Sequence, residues 1–202
     1  ITIGNYMKEY ILSVQPMINE SKLLSIPFTI DKRVYKNLNK KRENSICLLY
    51  QPEKPRRDGK STLKIAERLA KNEKIDNIYL YGCDNMNFYN ENEKINHLGI
   101  LSESELVNLY NKCKTGFIVQ YSNPSRIPFE MINCNLPLVT LLNKEYKTCC
   151  NYDFKNIETI KFSFDVETSC KLLVDNLVYG CEYSENNVID NENCYDELMK
   201  IF

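Results

Sequence analysis

Short apolar runs alternate along the chain with polar loops and amphipathic stretches. We predict buried strands at the apolar runs 45–50, 78–81, 96–101, 116–121, 138–142 and 157–162. We predict helices where apolar residues recur at helical spacing, at 61–71, 102–113 and 166–179, with a short helix after the polar break at 122–125. Strands that alternate with helices favour βαβ units and parallel pairing. The expected fold is therefore a doubly wound parallel α/β sheet.

Local signals indicate where some of these helices begin and end. Ser102 is followed three residues later by Glu105, which is the capping-box pattern at a helix start. Pro128 is tolerated in the first turn of a helix, where the N–H groups have no intrahelical partner. Asn135 stands where the C-cap of that helix is expected.

The two ends of the chain fit the alternation less well. The first residues suggest a strand end, then a short amphipathic helix at 5–12 and an extended edge segment at 23–30 that contains Pro27. We predict a loop or frayed helix at 31–44 and a terminal helix at 194–202.

Composition narrows the class of protein. The length of 202 residues suits one large domain, and a net charge of -1 argues against a nucleic-acid partner. No apolar run approaches the ~18 residues of a membrane span, and no signal-peptide pattern is present. The nine cysteines are scattered, which favours a reducing cytosolic compartment. Because the chain begins with Ile, we expect it to be a piece of a longer protein.

The single histidine, His97, argues against a multi-histidine metal site and against a Ser-His-Asp hydrolase. At the start of a strand it is more often structural.

Candidate chemistry lies in two polar loops at predicted strand-to-helix turns. Ligands of parallel sheets bind at the carboxyl ends of strands, against helix N-termini that attract anions. The first loop, 51–60, contains Arg56, Arg57 and Lys60, which suit a phosphate group. The alternative is a charged loop that only faces solvent.

The second loop, 121–126, precedes Glu130, which lies one turn into the short helix. Its candidate binding residues are Tyr121, Ser122, Asn123, Ser125 and Arg126. A carboxylate at Glu130 could accept hydrogen bonds from ribose hydroxyls while helix N–H groups hold phosphates. The alternative is that Glu130 only complements the helix dipole.

Because neighbouring strands bring both loops to one edge, we predict a nucleoside diphosphate site there. The first loop has one glycine and lacks the G-x-G-x-x-G pattern, and no Walker motif is present. A dinucleotide site is therefore disfavoured.

Three segments carry a resemblance to a known family. They are 48–69, 97–110 and 123–140, and the last reads N-P-S-R-I-P-F-E-M-I-N-C-N-L-P-L-V-T. They resemble the C-terminal, donor-binding half of GT-B fold glycosyltransferases of family 4, and within it the rhamnosyltransferase-like branch. The resemblance covers 1–180.

The resemblance implies roles for individual residues. Glu130 matches the second glutamate of an E-x7-E element, which holds the donor ribose, and Ser122 stands at the place of the first. The basic pair that binds the diphosphate falls near Gln51 and Arg57. Because Gln51 is not basic, Arg56 or Lys60 is expected to substitute; Gly99 matches a turn near the nucleobase.

The implied reaction transfers a sugar from a nucleotide-sugar donor with retention of configuration. Glu130 and Arg57 are the expected catalytic residues, and neither a metal nor another cofactor is expected. The implied domains are 1–30, a linker from an N-terminal acceptor domain; 31–180, the Rossmann-like donor-binding domain; and 181–202, a helical tail. Without the acceptor domain, the chain should bind nucleotide but transfer little sugar.

The resemblance also implies a cytoplasmic location, including the inner face of the membrane, where many such relatives build surface polysaccharide. The sequence leaves two alternative functions, and each fits it less well. A GT-B sugar-nucleotide epimerase normally relies on several acid–base residues, including histidine, and the chain has only His97. A non-catalytic flavodoxin-like interaction module would need no basic loop at the sheet edge.

Overall fold

Six parallel strands form the central sheet of the computed structural model, which describes residues 2–3, 5–26, 30–84, 91–121, 125–142 and 160–180. Along the described chain, the strands are β1 Thr2–Ile3, β2 Ser25–Ile26, β3 Ser45–Leu49, β4 Asn77–Tyr81, β5 Ile95–His97, β6 Thr115–Gln120, β7 Leu138–Leu142 and β8 Ile160–Ser163. The helices are α1 Asn5–Val14, α2 Gly59–Ala70, α3 Glu103–Lys112, α4 Ile127–Asn133 and α5 Val166–Tyr179.

The order of strands in the sheet is β5-β4-β3-β6-β7-β8, and every neighbouring pair is parallel. Counted from β3, this is the order 3-2-1-4-5-6 of doubly wound Rossmann-like folds. The winding reverses between β3 and β6, so the loops that follow these two strands flank a crevice at the carboxyl edge. The predicted doubly wound α/β sheet is confirmed.

Helices cover both faces of the sheet. Along β3, Ile46 and Leu48 pack in the core that contains residues of α2 and α5. Cys47 and Leu49 pack in the other core, with residues of α3 and α4. Because successive side chains of a strand point to opposite faces, a strand covered on both faces is apolar throughout. This explains why the central strands read as continuous apolar runs.

Several predicted boundaries agree with the structure. Strand β7 and helix α5 have the predicted bounds, and the capping box is present, with Glu105 accepting a hydrogen bond from the Ser102 N–H at 2.7 Å. Asn135 has a left-handed φ of 60°, and its N–H donates to the carbonyl of Ile132 at 2.7 Å. Helix α4 therefore ends in the left-handed conformation that asparagine tolerates better than most residues.

Two elements differ in length from the prediction. Strand β5 ends at His97, well before the predicted end at 101, because Gly99 turns the chain with a φ of 73°. Helix α2 begins at Gly59 rather than at 61, because Asp58 caps its N-terminus. Residues 157–159 of the predicted sixth strand and the predicted helix at 194–202 lie outside the described residues.

Within the predicted linker segment, β1 and β2 form a separate two-stranded parallel sheet. Helix α1 starts at the predicted position and extends two residues beyond it, to Val14. Among the described residues, no helix is long and apolar enough to cross a membrane.

The segment before β3 is tied to helix α3. The Asn111 side chain accepts a hydrogen bond from Leu38 N–H at 2.7 Å and donates to the carbonyl of Lys36 at 3.0 Å. The Arg42 guanidinium donates to the carbonyls of Tyr110, Cys113 and Cys134, each at 2.6 Å. Arg42 thus supplies donors to carbonyls at the ends of α3 and α4 that have no partner within their helices.

Replacing Arg42 with Met should lower the free energy of unfolding by about 3 kcal/mol, because three partly buried carbonyls lose their donor. Urea unfolding of the variant and the parent chain measures this difference.

Lys40→Met is the matched control, since Lys40 donates to Asn108 Oδ1 at an exposed site, at 3.2 Å. It should change the free energy of unfolding by less than about 0.5 kcal/mol. Equal losses for the two variants would contradict the capping role of Arg42.

Candidate functional site

The two predicted loops meet at the carboxyl edge, where the winding of the sheet reverses. The Tyr121 N–H donates to the carbonyl of Arg56 at 3.3 Å, and its hydroxyl donates to Oδ2 of Asp58 at 3.2 Å. Arg57 Nη1 donates to the carbonyl of Val119 at 2.9 Å. The first loop, which follows β3, is therefore joined directly to the end of β6 and to the second loop.

The basic residues of the first loop have different environments. Arg57 is buried, with 7% of its surface exposed, and its guanidinium is used in the contact with β6. Arg56 and Lys60 are exposed at the same edge. The structure therefore gives Arg57 a structural contact, while its role as a diphosphate ligand stays a prediction.

Helix α2 starts in a tightly packed turn. Asp58 has left-handed backbone angles, φ 38° and ψ 65°, and its Oδ1 accepts a hydrogen bond from Ser61 N–H at 3.1 Å. A Cβ atom at Gly59 would lie 2.6 Å from Cα of Pro52, so only glycine allows this approach. Sequence reasoning missed Asp58, although an aspartate three residues before Ser61 is an N-cap signal.

The second loop is held by Gln120 at the end of β6. Gln120 Oε1 accepts a hydrogen bond from Ser125 N–H at 3.1 Å, and its Nε2 donates to Oγ1 of Thr140 at 3.1 Å. The Ser125 hydroxyl accepts a hydrogen bond from Ile127 N–H at 3.3 Å, at the start of α4. Gln120 was not among the predicted site residues. Ser122 and Asn123, which were, lie outside the described residues.

Glu130 is a mostly buried carboxyl group, with 8% of its surface exposed, in the first turn of α4. Its Oε1 lies 3.9 Å from Nε of the exposed Arg126. Burial raises the pKa of Glu130; the charge of Arg126 opposes the increase and Glu103 adds to it. Burying a carboxylate with its nearest cation at 3.9 Å costs free energy. A carboxylate that only complements the helix dipole could do so while exposed to solvent, so its burial would be unnecessary.

Two further turns contribute to the same edge, one at Gly82 after β4 and one at Gly99 after β5. The Gly82 N–H donates to the carbonyl of Gly99 at 2.9 Å, and both glycines have left-handed φ angles, 109° and 73°. Gln51 Nε2 donates to the carbonyl of Gly82 at 3.1 Å. Gln51, which stands where the family resemblance implies a basic residue, therefore holds the turn at Gly82.

A cavity of about 490 Å³ opens beside these glycines. Its lining residues are Pro52, Glu53, Lys54, Gly82, Cys83, Asp84 and Ile100. His97 Nε2 lies 3.6 Å from Sγ of Cys83, and burial lowers the pKa of His97. The histidine therefore packs against Cys83 of the cavity wall, and the charge of Asp84 opposes the lowering of its pKa.

Another cavity, of about 610 Å³, lies at the opposite, amino-terminal edge of the sheet, between Lys41, Lys114 and Tyr179. It is remote from the loops described above, and the Arg42 guanidinium in its wall is used by the helix ends. Within the described ranges, no cluster of three or more His, Cys, Asp or Glu side chains is arranged to hold a metal ion.

A family model described as WsaF, C-terminal domain, matches residues 44–170. No protein of curated function matches the sequence.

Several solved structures have a similar fold. Sucrose-phosphate synthase from Thermosynechococcus elongatus has a TM-score of 0.72 at 12% identity, over 99% of this chain and 56% of that chain. A glycosyltransferase from Rickettsia africae has a TM-score of 0.72 at 14% identity, over 98% and 61%. Anabaena HepE, solved with UDP and glucose, has a TM-score of 0.68 at 10% identity, over 98% and 61%.

At these identities the likeness establishes the fold, which is that of the C-terminal half of GT-B glycosyltransferases. The chain spans between 56% and 61% of the length of these three structures.

The raised pKa of Glu130 predicts how stability depends on pH. A carboxyl group whose pKa is higher in the folded state binds its proton more tightly there, so stability falls as pH rises from about 4.3, the unfolded pKa, through the folded pKa. The neutral Glu130→Gln variant should therefore be more stable than the parent at neutral pH, and the difference should shrink as pH falls toward about 4. Urea unfolding across this range measures it.

Glu105→Gln is a control of opposite sign. Hydrogen bonds from Ser102 lower the pKa of Glu105, so its carboxylate stabilises the fold above the unfolded pKa, and this contribution is lost as pH falls. The variant should be less stable than the parent at neutral pH. If Glu130→Gln and the parent had the same pH profile, Glu130 would not be a buried charge.

Proposed function

This chain belongs to the WsaF C-terminal domain family, and we propose that it is the nucleotide-sugar-binding domain of a glycosyltransferase. The observation that carries the proposal is the buried carboxyl group of Glu130 at the start of α4, on the same sheet edge as the joined first and second loops. Nucleotide ligands of doubly wound sheets bind at this reversal point. The complex of Anabaena HepE with UDP and glucose supports the same class of ligand.

Glu130 is the proposed ribose ligand. When ionised, its carboxylate can accept hydrogen bonds from the hydroxyl groups of a ribose, and bonds to a charged acceptor are stronger than neutral ones. The bound sugar would replace the water that burial has removed from this carboxylate. In the unliganded protein, the buried carboxylate of Glu130 lowers stability because it has lost water. In the complex, the ribose hydroxyls would supply the hydrogen bonds that it lacks.

The diphosphate is the proposed partner of the exposed cations at this edge. Arg56 and Lys60 are on the first loop and Arg126 precedes α4. Guanidinium groups bind phosphate oxygens through paired donors. The Arg57 contact with Val119 holds the first loop beside these groups, and Arg57 itself is the second proposed catalytic residue.

The cavity beside Gly82 and Ile100 is the proposed site of the base, since it adjoins the first loop. The carbonyl of Gly99 accepts a hydrogen bond from the Gly82 N–H, so the turn at Gly99 fixes the position of Gly82 in the cavity wall.

The proposed reaction is retaining transfer of a sugar, with rhamnose as the proposed sugar, in the synthesis of surface polysaccharide or another glycan. Positive charge around the diphosphate would stabilise the negative charge that develops as it leaves. Because the chain spans between 56% and 61% of the three structures compared above, we assign the acceptor site to a separate N-terminal domain. By itself the chain should bind nucleotide and transfer little or no sugar.

Calorimetric titration with dTDP, UDP and GDP tests the proposal. At least one of these nucleotides should bind to the parent chain. The Glu130→Gln variant should bind that nucleotide about 10- to 100-fold more weakly, because the ribose loses hydrogen bonds to a charged acceptor. Glu67→Gln, a matched change on the exposed side of α2, should leave affinity within about twofold. If none of the three nucleotides binds the parent chain, the proposed function is wrong.

A further inference from the structure

Asp58 lies in the first loop, where that loop meets the second, and both of its carboxylate oxygens accept hydrogen bonds. Oδ1 accepts from Ser61 N–H at 3.1 Å, and Oδ2 accepts from the hydroxyl of Tyr121 at 3.2 Å. Its backbone, at φ 38° and ψ 65°, lies in the left-handed region that residues other than glycine seldom occupy. Such a conformation costs free energy and persists only where the surroundings hold it.

The position of Asp58 determines the path of the chain on both sides. Its N–H donates to the carbonyl of Pro55 at 3.1 Å, which closes the short 3₁₀ turn Pro55–Arg57. Its carbonyl accepts from Thr62 N–H at 3.1 Å, which starts α2. Arg56 precedes this point and Lys60 follows it, so the placement of both cations depends on Asp58.

The two hydrogen bonds to the carboxylate of Asp58 hold its negative charge in a fixed place beside the proposed anion site. Asp58 lies in sequence between the two exposed cations that we assign to the diphosphate, and like charges repel at short range. The hydroxyl of Tyr121 occupies one of its oxygens. Burial, and then the nearby charge of Asp58, raise the pKa of Tyr121 to about 12, so the phenol stays a neutral donor at physiological pH.

We propose that Asp58 and Tyr121 form a latch that positions the first loop for the terminal phosphate of a nucleoside diphosphate. Asp58 is then a positioning residue, since it acts through Arg56 and Lys60 rather than by contact with the ligand. The latch crosses between the loops after β3 and β6, beside the Arg57 contact with Val119. The inference rests on the proposed function and goes beyond it by assigning selectivity for diphosphates over monophosphates to one hydrogen bond.

The test compares the diphosphate that binds the parent chain most tightly with the monophosphate of the same base. Tyr121→Phe removes only the phenolic hydroxyl. The variant should bind the diphosphate about tenfold more weakly, because losing one hydrogen bond to a charged group displaces the first loop, which we assign to the terminal phosphate. Its affinity for the monophosphate, which lacks that phosphate, should fall by less than about twofold. A purely structural role would lower thermal stability without changing the ratio of the two affinities.

A double-mutant cycle tests whether the two residues act as a pair. Asp58→Asn keeps an N-cap residue that tolerates left-handed angles but removes the charge. In that background Tyr121→Phe should have a much smaller effect on diphosphate affinity than in the parent chain. Additive effects of the two changes would overturn the latch.

Tyr179→Phe is the matched control, because Tyr179 is 83% exposed at the opposite edge of the sheet. It should leave both affinities unchanged. If the parent binds a diphosphate and Tyr121→Phe binds it equally well, the latch is refuted while the proposed function stands. If the parent binds none of dTDP, UDP and GDP, the proposed function fails and the latch fails with it.

Discussion

The hydrogen bond from Arg57 to the carbonyl of Val119 holds together the edge on which the site depends. Strands β3 and β6 are neighbours, but the helices that follow them cover opposite faces of the sheet, so their loops diverge. A buried guanidinium stays charged and must keep its acceptors. Opening the first loop would take the Val119 carbonyl away from this charge, so the two loops are held at a defined separation.

Charge is buried at both edges of the sheet, with different consequences. At the amino-terminal edge, Arg42 donates to three carbonyls, and its burial is offset by good hydrogen bonds. At the carboxyl edge, Glu130 is buried beside one cation at 3.9 Å, and Asp58 has strained backbone angles. At the second edge a poorly paired carboxyl group and a strained backbone lie close together. Such a concentration of perturbed groups is typical of sites that bind or react.

The elements of the fold could be predicted more fully than the contacts of the site. Strand β7 and helix α5 have strong periodicity and clear flanking signals, and their predicted bounds are those of the structure. The edge at which the loops meet also follows from the order of strands. The direction of the Arg57 side chain does not, because residue type and position leave its rotamer open. The N-cap role of Asp58 has a local sequence signal, but its hydrogen bond with Tyr121 has none, because the two residues are 63 positions apart along the chain.

These contacts bear on how a diphosphate would be held. Gln51 holds the turn at Gly82 and Nη1 of Arg57 holds the end of β6, so both positions expected to bind the diphosphate also support the framework. The remaining cations, Arg56, Lys60 and Arg126, are exposed, and exposed charges contribute little unless they are held in place. The affinity of the proposed site therefore depends less on the number of its cations than on the rigidity of the loops that carry them.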